Sequence, residues 1–363
     1  CYVICILSPI NHPLMVFSRN TRLIFGLVVA VFLIVFSLTV VHNPSLRNNA
    51  EQMYEARDLA TKWLTIIDLQ KQSRGIVGGL ESTIQFKNLL GEEYTPVTTT
   101  LGSPEAKELS TNPDFSALVV RLLQEAGVDS TKRVGVTISG SFPALSISTL
   151  AALQTLKIDA VIFSSLGASS YGANQPGALW IDYEQWLRDS GELRFQSRLV
   201  TYGGENDNGS AIYPEGLEMM NSSLKEFPNL LYVPSSLEES VVSKALILNN
   251  EKISLLINIG GNQASLGGCG HSRQIPPGLN YHLPDCDHSN RGLILELNAQ
   301  GIPTIQLLNI RELAIEYGIK SPYDENFNTS EHLYFEYETN KAYVVIALLL
   351  LSLSVWWIRL AKD

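Results

Sequence analysis

Positive charge is what this sequence holds least of. Its 26 lysines and arginines face 36 aspartates and glutamates, and no basic patch with interleaved aromatics occurs. A chain of formal charge -10 has no surface for displacing counterions from a phosphate backbone, so nucleic acid is excluded as a partner. Heptads, internal repeats and low-complexity tracts are also missing, and a 45% hydrophobic content is too apolar for disorder. The familiar nucleotide and hydrolase signatures are absent too. "TISGSFPAL" (Thr137 to Leu145) has no lysine at P-loop spacing, and Ser139-Gly140-Ser141 puts glycine between two serines where G-x-S-x-G needs the reverse. Cysteine is scarce: of four, Cys1 and Cys5 precede Met15, which opens a basic prelude of its own, so residues 1–14 are expected to be upstream translation.

What the chain does have is two uncharged apolar runs. Leu23 to Val41 matches the thickness of a hydrocarbon core, and Ala342 to Ile358 is at the short end of that range, with Trp356 and Trp357 as interface anchors. "VVHNPSLRNN" has no small-residue cleavage site, which argues against a signal peptide. Arg19 and Arg22 before the first run, and Arg359 and Lys362 after the second, orient both ends toward the cytoplasm. The expected order is therefore a cytoplasmic segment 1–22, a span 23–41, an extracytoplasmic domain 42–340, a span 342–358 and a tail 359–363.

Inside that domain, Met53, Ala56, Leu59, Ala60, Trp63, Ile66 and Ile67 recur at helical spacing. A second helix is expected over Phe115 to Val128, opened by Asn112-Pro113-Asp114 and stopped at Gly127. From Arg133 on, "RVGVTIS", "DAVIFSS", "RLVTYGG", "KISLLINIGG" and "TIQLLNI" read as strands separated by helical runs. This pattern predicts an α/β fold, a mostly parallel sheet with helices on both faces, joined to the two membrane helices.

Ligands of such sheets sit beyond the carboxyl ends of the strands, where four Gly/Ser-rich loops fall: Ser139 to Ser141, Ser164 to Asn174, Gly203 to Gly209 and Gly260 to Gly270. The candidate crevice comprises Ser139, Gly140, Ser141, Ser165, Gly167, Ser169, Asn174, Asp182, Gly260 and Gly261. Ser141 is placed either to cap the following helix or to leave its N–H groups open to an anion. Asp182 and Glu184 are two apart and do not share a helical face, which argues against paired carboxylates. Glu205 and Asp207 lack the EF-hand register and read as a solvated turn. Ser141, His271 and Asp182 can be assembled on paper as a hydrolase triad, but spacing does not fix their distances. Cys269 and Cys286 are a disulfide or two free thiols; with His271 and His288 they do not have a zinc spacing, so neither metal nor cofactor is expected.

"TPVTTTLGSPEAKELSTNPDFSALVVRLLQEAGV", "SGSFPAL", "SSLGASSYGANQPGALWIDYE" and "NIGGNQASLG" together resemble the poly-gamma-glutamate system protein family of bacterial membrane proteins. The resemblance runs from Thr95 to about Gly278 and includes the first apolar run. Ser146 stands where that family is expected to have Asn, Tyr171 where it has a Trp-like aromatic, and "LWIDYE" where it reads closer to "TWLDME". The resemblance implies a cytoplasmic-membrane protein of poly-γ-glutamate synthesis or export. Its partners would be the synthase membrane subunits, the polymer and the bilayer. A non-catalytic accessory component that binds polymer carboxylates is the leading expectation. The alternatives are a serine-dependent γ-glutamyl hydrolase or transferase, and a structural assembly factor.

Overall fold

The computed structural model describes residues 19–40, 43–269, 275–287, 291–324, 330–338 and 341–360. They form two compact units, one of Arg47–Tyr334 and one of the segments on either side of it. Residues 1–14 lie outside the described residues.

In the smaller unit, helices Arg19–Val40 and Lys341–Leu360 pack on each other. Strands Asn43–Leu46 and Phe335–Glu338 pair antiparallel, Asn43 opposite Glu338. The segments expected to span a membrane are thus helical. Phe25, Leu27 and Phe32 on one helix, and Leu348, Leu349 and Trp356 on the other, are exposed. Some side chains of both helices lie outside the described residues, and among the described ones no helix is long and apolar enough to cross a membrane.

The larger unit is built on a six-stranded sheet. Its strands in chain order are β1 (Arg133–Ser139), β2 (Asp159–Ser165), β3 (Leu199–Thr201), β4 (Leu255–Ile259), β5 (Gly278–Asn280) and β6 (Thr304–Leu307). In space they run β5-β6-β4-β1-β2-β3, all parallel except β5, which pairs antiparallel with β6. Strand β5 comes from the stretch after Gly270 that had no strand-like pattern.

Burial on both faces explains why β1 and β2 read as continuous runs. Helices Leu237–Asn250 and Leu293–Asn298 cover one face, where Leu248, Leu293 and Leu297 meet Val161, Phe163 and Leu256. Val134, Val136 and Ile138 point the other way and are just as fully buried. Helices Ala50–Ser73, Asp114–Glu125 and Pro143–Thr155 pack against one another; the first buries the Met53, Ala56, Ala60, Trp63 and Ile67 face that its spacing predicts, and the third is buried from Pro143 to Leu153. Helix Asp114–Glu125 ends near Gly127, whose φ of +67° is the left-handed geometry of a helix stop.

Toward the carboxyl ends the apolar face turns polar. Thr137 Oγ1 donates to Asn258 Oδ1 at 2.7 Å, and Asn258 Nδ2 donates at 2.7 Å both to Gln306 Oε1 and to the Gly260 carbonyl. A core that needed only packing would be apolar here; buried amides of this kind hold backbone in place.

One expectation fails outright. The Gly203–Gly209 loop is not a solvated turn, because Asp207 is buried. Asn206 and Asp207 both have left-handed φ, 54° and 61°, which turns the Asp207 carboxylate inward. There it accepts from Thr201 Oγ1 at 2.8 Å, Ser240 Oγ at 2.6 Å and Lys244 Nζ.

Candidate functional site

Between β1 and β4 the chain's direction of travel across the sheet reverses. A crevice must open outside the carboxyl ends of two strands whose connections leave in opposite directions. A cleft of about 720 Å³ occupies that place. Ser139 at the end of β1 with Ser141 just beyond, Ser165 at the end of β2 with Gly167 just beyond, Gly204 and Glu205 after β3, and Gly261 to Gln263 after β4 all line it. Thr98, Thr99 and Thr100 form a further wall, and Leu266 to Cys269 complete it.

Close backbone approach shapes the floor. Gly260 has φ +85°, and a Cβ there would sit 2.2 Å from Ser139 Oγ, so only glycine lets β4 pass this hydroxyl. Asn262 ties three segments together. Its Oδ1 accepts from Ser265 N–H at 2.7 Å, capping the short helix Gln263–Leu266, and its Nδ2 donates to Ser165 Oγ at 3.2 Å. Gln263 Oε1 accepts from Asn206 N–H at 2.8 Å, which ties the Gly203–Gly209 loop to the same corner.

Ser141 does not cap the helix that follows it. Phe142 occupies the cap position without a side-chain bond, and Ser141 Oγ instead accepts from Ser169 N–H at 3.0 Å. Behind this corner lies Lys107, from helix Pro104–Leu109, 1% exposed. Its Nζ donates to the Ser141 carbonyl and, at 2.8 Å, to Ser169 Oγ, and lies 4.1 Å from the Phe142 ring centre. Burial lowers its pKa from 10.5 to about 7.

Of the expected ligand residues, Ser139, Ser141, Ser165, Gly167 and Gly261 meet in the cleft wall, with Gly140 and Gly260 forming the backbone beside them. Three others lie outside the cleft lining. Ser169 stands behind the wall on Lys107. Asn174 is buried, its amide accepting from Glu92 N–H at 2.9 Å and donating to Thr98 Oγ1 at 3.0 Å. Asp182 Oδ2 accepts from Leu179 N–H and Ser223 Oγ, both at 2.8 Å, at the start of its own helix Trp180–Asp189. Burial raises its pKa, with those two hydrogen bonds opposing the shift. Asp182 therefore does not join Ser141 as a triad member, and His271 and His288 lie outside the described residues. Among the described residues no His/Cys/Asp/Glu cluster can hold a metal.

The threonine wall was not foreseen. Thr98–Thr100 pairs in parallel with Ala168–Ser169, a contact between segments far apart in the chain that local pattern does not reveal.

Cys269 in the cleft wall is disulfide-bonded to Cys286, with Cα atoms 6.4 Å apart and a sequence separation of 17. A loop of that length limits the unfolded chain by about 3 kcal/mol. Adding a reductant should lower the urea unfolding free energy by roughly that amount, and the Cys286→Ser variant should show the loss without it.

Glu205 is the one ionisable side chain in the cleft wall among the described residues; the rest of the lining is hydroxyl, amide, glycine and short apolar groups. The site suits a small polar ligand fixed by hydrogen bonds. No protein-family model, curated protein or solved structure matches the chain.

Proposed function

We propose that this protein is a membrane-anchored accessory component of bacterial poly-γ-glutamate synthesis or export, whose α/β unit binds the amino end of a γ-glutamyl chain. The observation that carries this reading is the switch-point cleft, where serine hydroxyls and glycine-rich backbone converge. Hydroxyl and backbone N–H donors at such corners stabilise carboxylates by short hydrogen bonds. Glu205 in the same cleft suits the terminal ammonium. A protein of charge -10 repels a long polyanion, which favours recognition of a chain end over coating of the polymer.

The anchoring rests on the two terminal helices. Exposed Phe25, Leu27, Phe32, Leu348, Leu349 and Trp356 suit a lipid environment, since water penalises exposed large apolar side chains. The arginines and lysine flanking the apolar runs would put both ends in the cytoplasm and the α/β unit outside. The Cys269–Cys286 disulfide agrees with an oxidising compartment.

Deleting the gene should reduce both cell-bound and released polymer. A copy carrying Glu205→Gln should restore it only partly, because that change removes the ammonium's partner while leaving the fold intact. Unchanged polymer in the deletion strain would remove the pathway assignment.

A further inference from the structure

We propose that Ser169 and Lys107 form a nucleophile–base pair able to carry out acyl transfer on an amide-linked substrate at the edge of the cleft. The geometry comes first: Nζ of Lys107 and Oγ of Ser169 are 2.8 Å apart, both side chains are buried, and Ser169 N–H is bonded to the cleft-lining Ser141. A lysine acts as a base only when it is neutral, and a carboxylate partner would keep it charged. Lys107 has none. On its own helix Glu105 pairs with Arg311, and Glu108 accepts from Ser82 and Tyr323. On helix Ile310–Tyr317, which packs against it, Glu312 accepts from Asn309. The Ser139–Phe142 corner and the Ala168–Ser169 strand contribute no ionisable group. Burial alone lowers Lys107 to about 7, so the free amine is well populated at neutral pH.

Besides the amide substrate, the reaction needs only water or a second amine as acyl acceptor. As Ser169 Oγ attacks the substrate carbonyl carbon, its proton passes to Lys107 Nζ and a C–O bond forms. Ser141 Oγ already accepts from Ser169 N–H, which leaves its own proton to donate to the developing oxyanion. The C–N bond then breaks, and the departing amine takes the proton from Lys107. Water or a second amine attacks the acyl-serine, giving its proton to Lys107, and Ser169 leaves with it. The roof over the pair is Gly102, where a Cβ would lie 3.0 Å from Lys107 Cε and 3.2 Å from Ser169 Oγ. Gly102 follows the Thr98–Thr100 wall in the chain, and Ser141, which lines the cleft, accepts from Ser169 N–H, so the pair adjoins the cleft.

The chemistry of the pair does not depend on the ligand assigned above; only the identity of the natural amide does. The test is therefore a small electrophile. The full chain is treated with phenylmethanesulfonyl fluoride between pH 6 and 8, and the modified peptide is located by mass spectrometry. Labelling of Ser169 is expected, rising about tenfold over that range as a base titrating near 7 loses its proton. Lys107→Met should abolish it, with circular dichroism reporting whether that variant is folded. The wild-type protein decides alone: an unlabelled Ser169, or labelling that ignores pH, overturns the pair. Calorimetry with γ-glutamyl oligomers separates the two proposals. Labelling without oligomer binding removes the ligand and keeps the pair, and binding without labelling does the opposite.

Discussion

Between pH 7 and 9 the α/β unit should become more stable as the pH rises, by about 1.4 kcal/mol per pH unit for each of two lysines. Lys71 and Lys107 are both essentially unexposed. Burial lowers Lys71 to about 7 despite opposing contributions from Asp68 and Glu92, and it lowers Lys107 to about 7 unopposed. In the unfolded chain both return to 10.5. From pH 7 to 10.5 the unfolded state therefore holds protons that the folded state has released, and the unfolding free energy climbs with pH. Below 7 both states are protonated, the cost of burying two charges is fully present, and the slope vanishes. Urea unfolding at pH 7, 8 and 9 stays below the titration of ordinary tyrosines and measures the slope directly. Lys107→Met should halve it. A flat profile would mean that the two ammonium groups stay charged inside the fold.

The second large effect is expected at Asp207. Its carboxylate collects three donors, Thr201, Ser240 and Lys244, in a site closed to solvent. Removing one member of a buried ion pair strands the other, and Asp207→Ala should cost about 3–5 kcal/mol in denaturant unfolding. The pair as a whole contributes far less, because its attraction is offset by the desolvation of both ions. Combining Asp207→Asn with Lys244→Met should recover most of the loss, since asparagine tolerates the left-handed backbone at this position. The same carboxylate anchors the loop that carries Gly204 and Glu205 into the cleft. Asp207→Ala should therefore weaken ligand binding more than its loss of stability explains.

The α/β class was legible because β1, β2 and β4 are short β-branched runs buried on both faces, and few other structures produce such runs. Where the glycine–serine corners meet was legible as well, since parallel strands put their carboxyl ends on one edge. Direction was not. Asn174 and Asp182 look like ligand groups in a polar loop, yet each spends its hydrogen bonds inside the fold, Asn174 on Glu92 and Thr98 and Asp182 on Leu179 and Ser223. Asp207 looks solvated in "GGENDNG" and is turned inward by two left-handed residues. Lys107 sits on a short helix where lysine normally faces water, and only tertiary packing buries it. The Thr98–Thr100 wall depends on a partner strand nearly seventy residues away, beyond any local periodicity.

The ligand proposed for the hollow outside β1 and β4 is the end of a γ-glutamyl chain. Gly261 allows it to be tested without damaging the fold. Its φ lies outside the left-handed region, and the atoms nearest to a Cβ there are Leu266 and Leu308 side chains at 3.4–3.5 Å, so Gly261→Gln adds bulk to the cleft wall at little structural cost. Titration calorimetry of the full chain in detergent with short γ-glutamyl oligomers should give saturable one-to-one binding, weakened at least about tenfold, or ~1.4 kcal/mol, by Gly261→Gln. No heat at millimolar oligomer, or equal affinity in the two proteins, would contradict it.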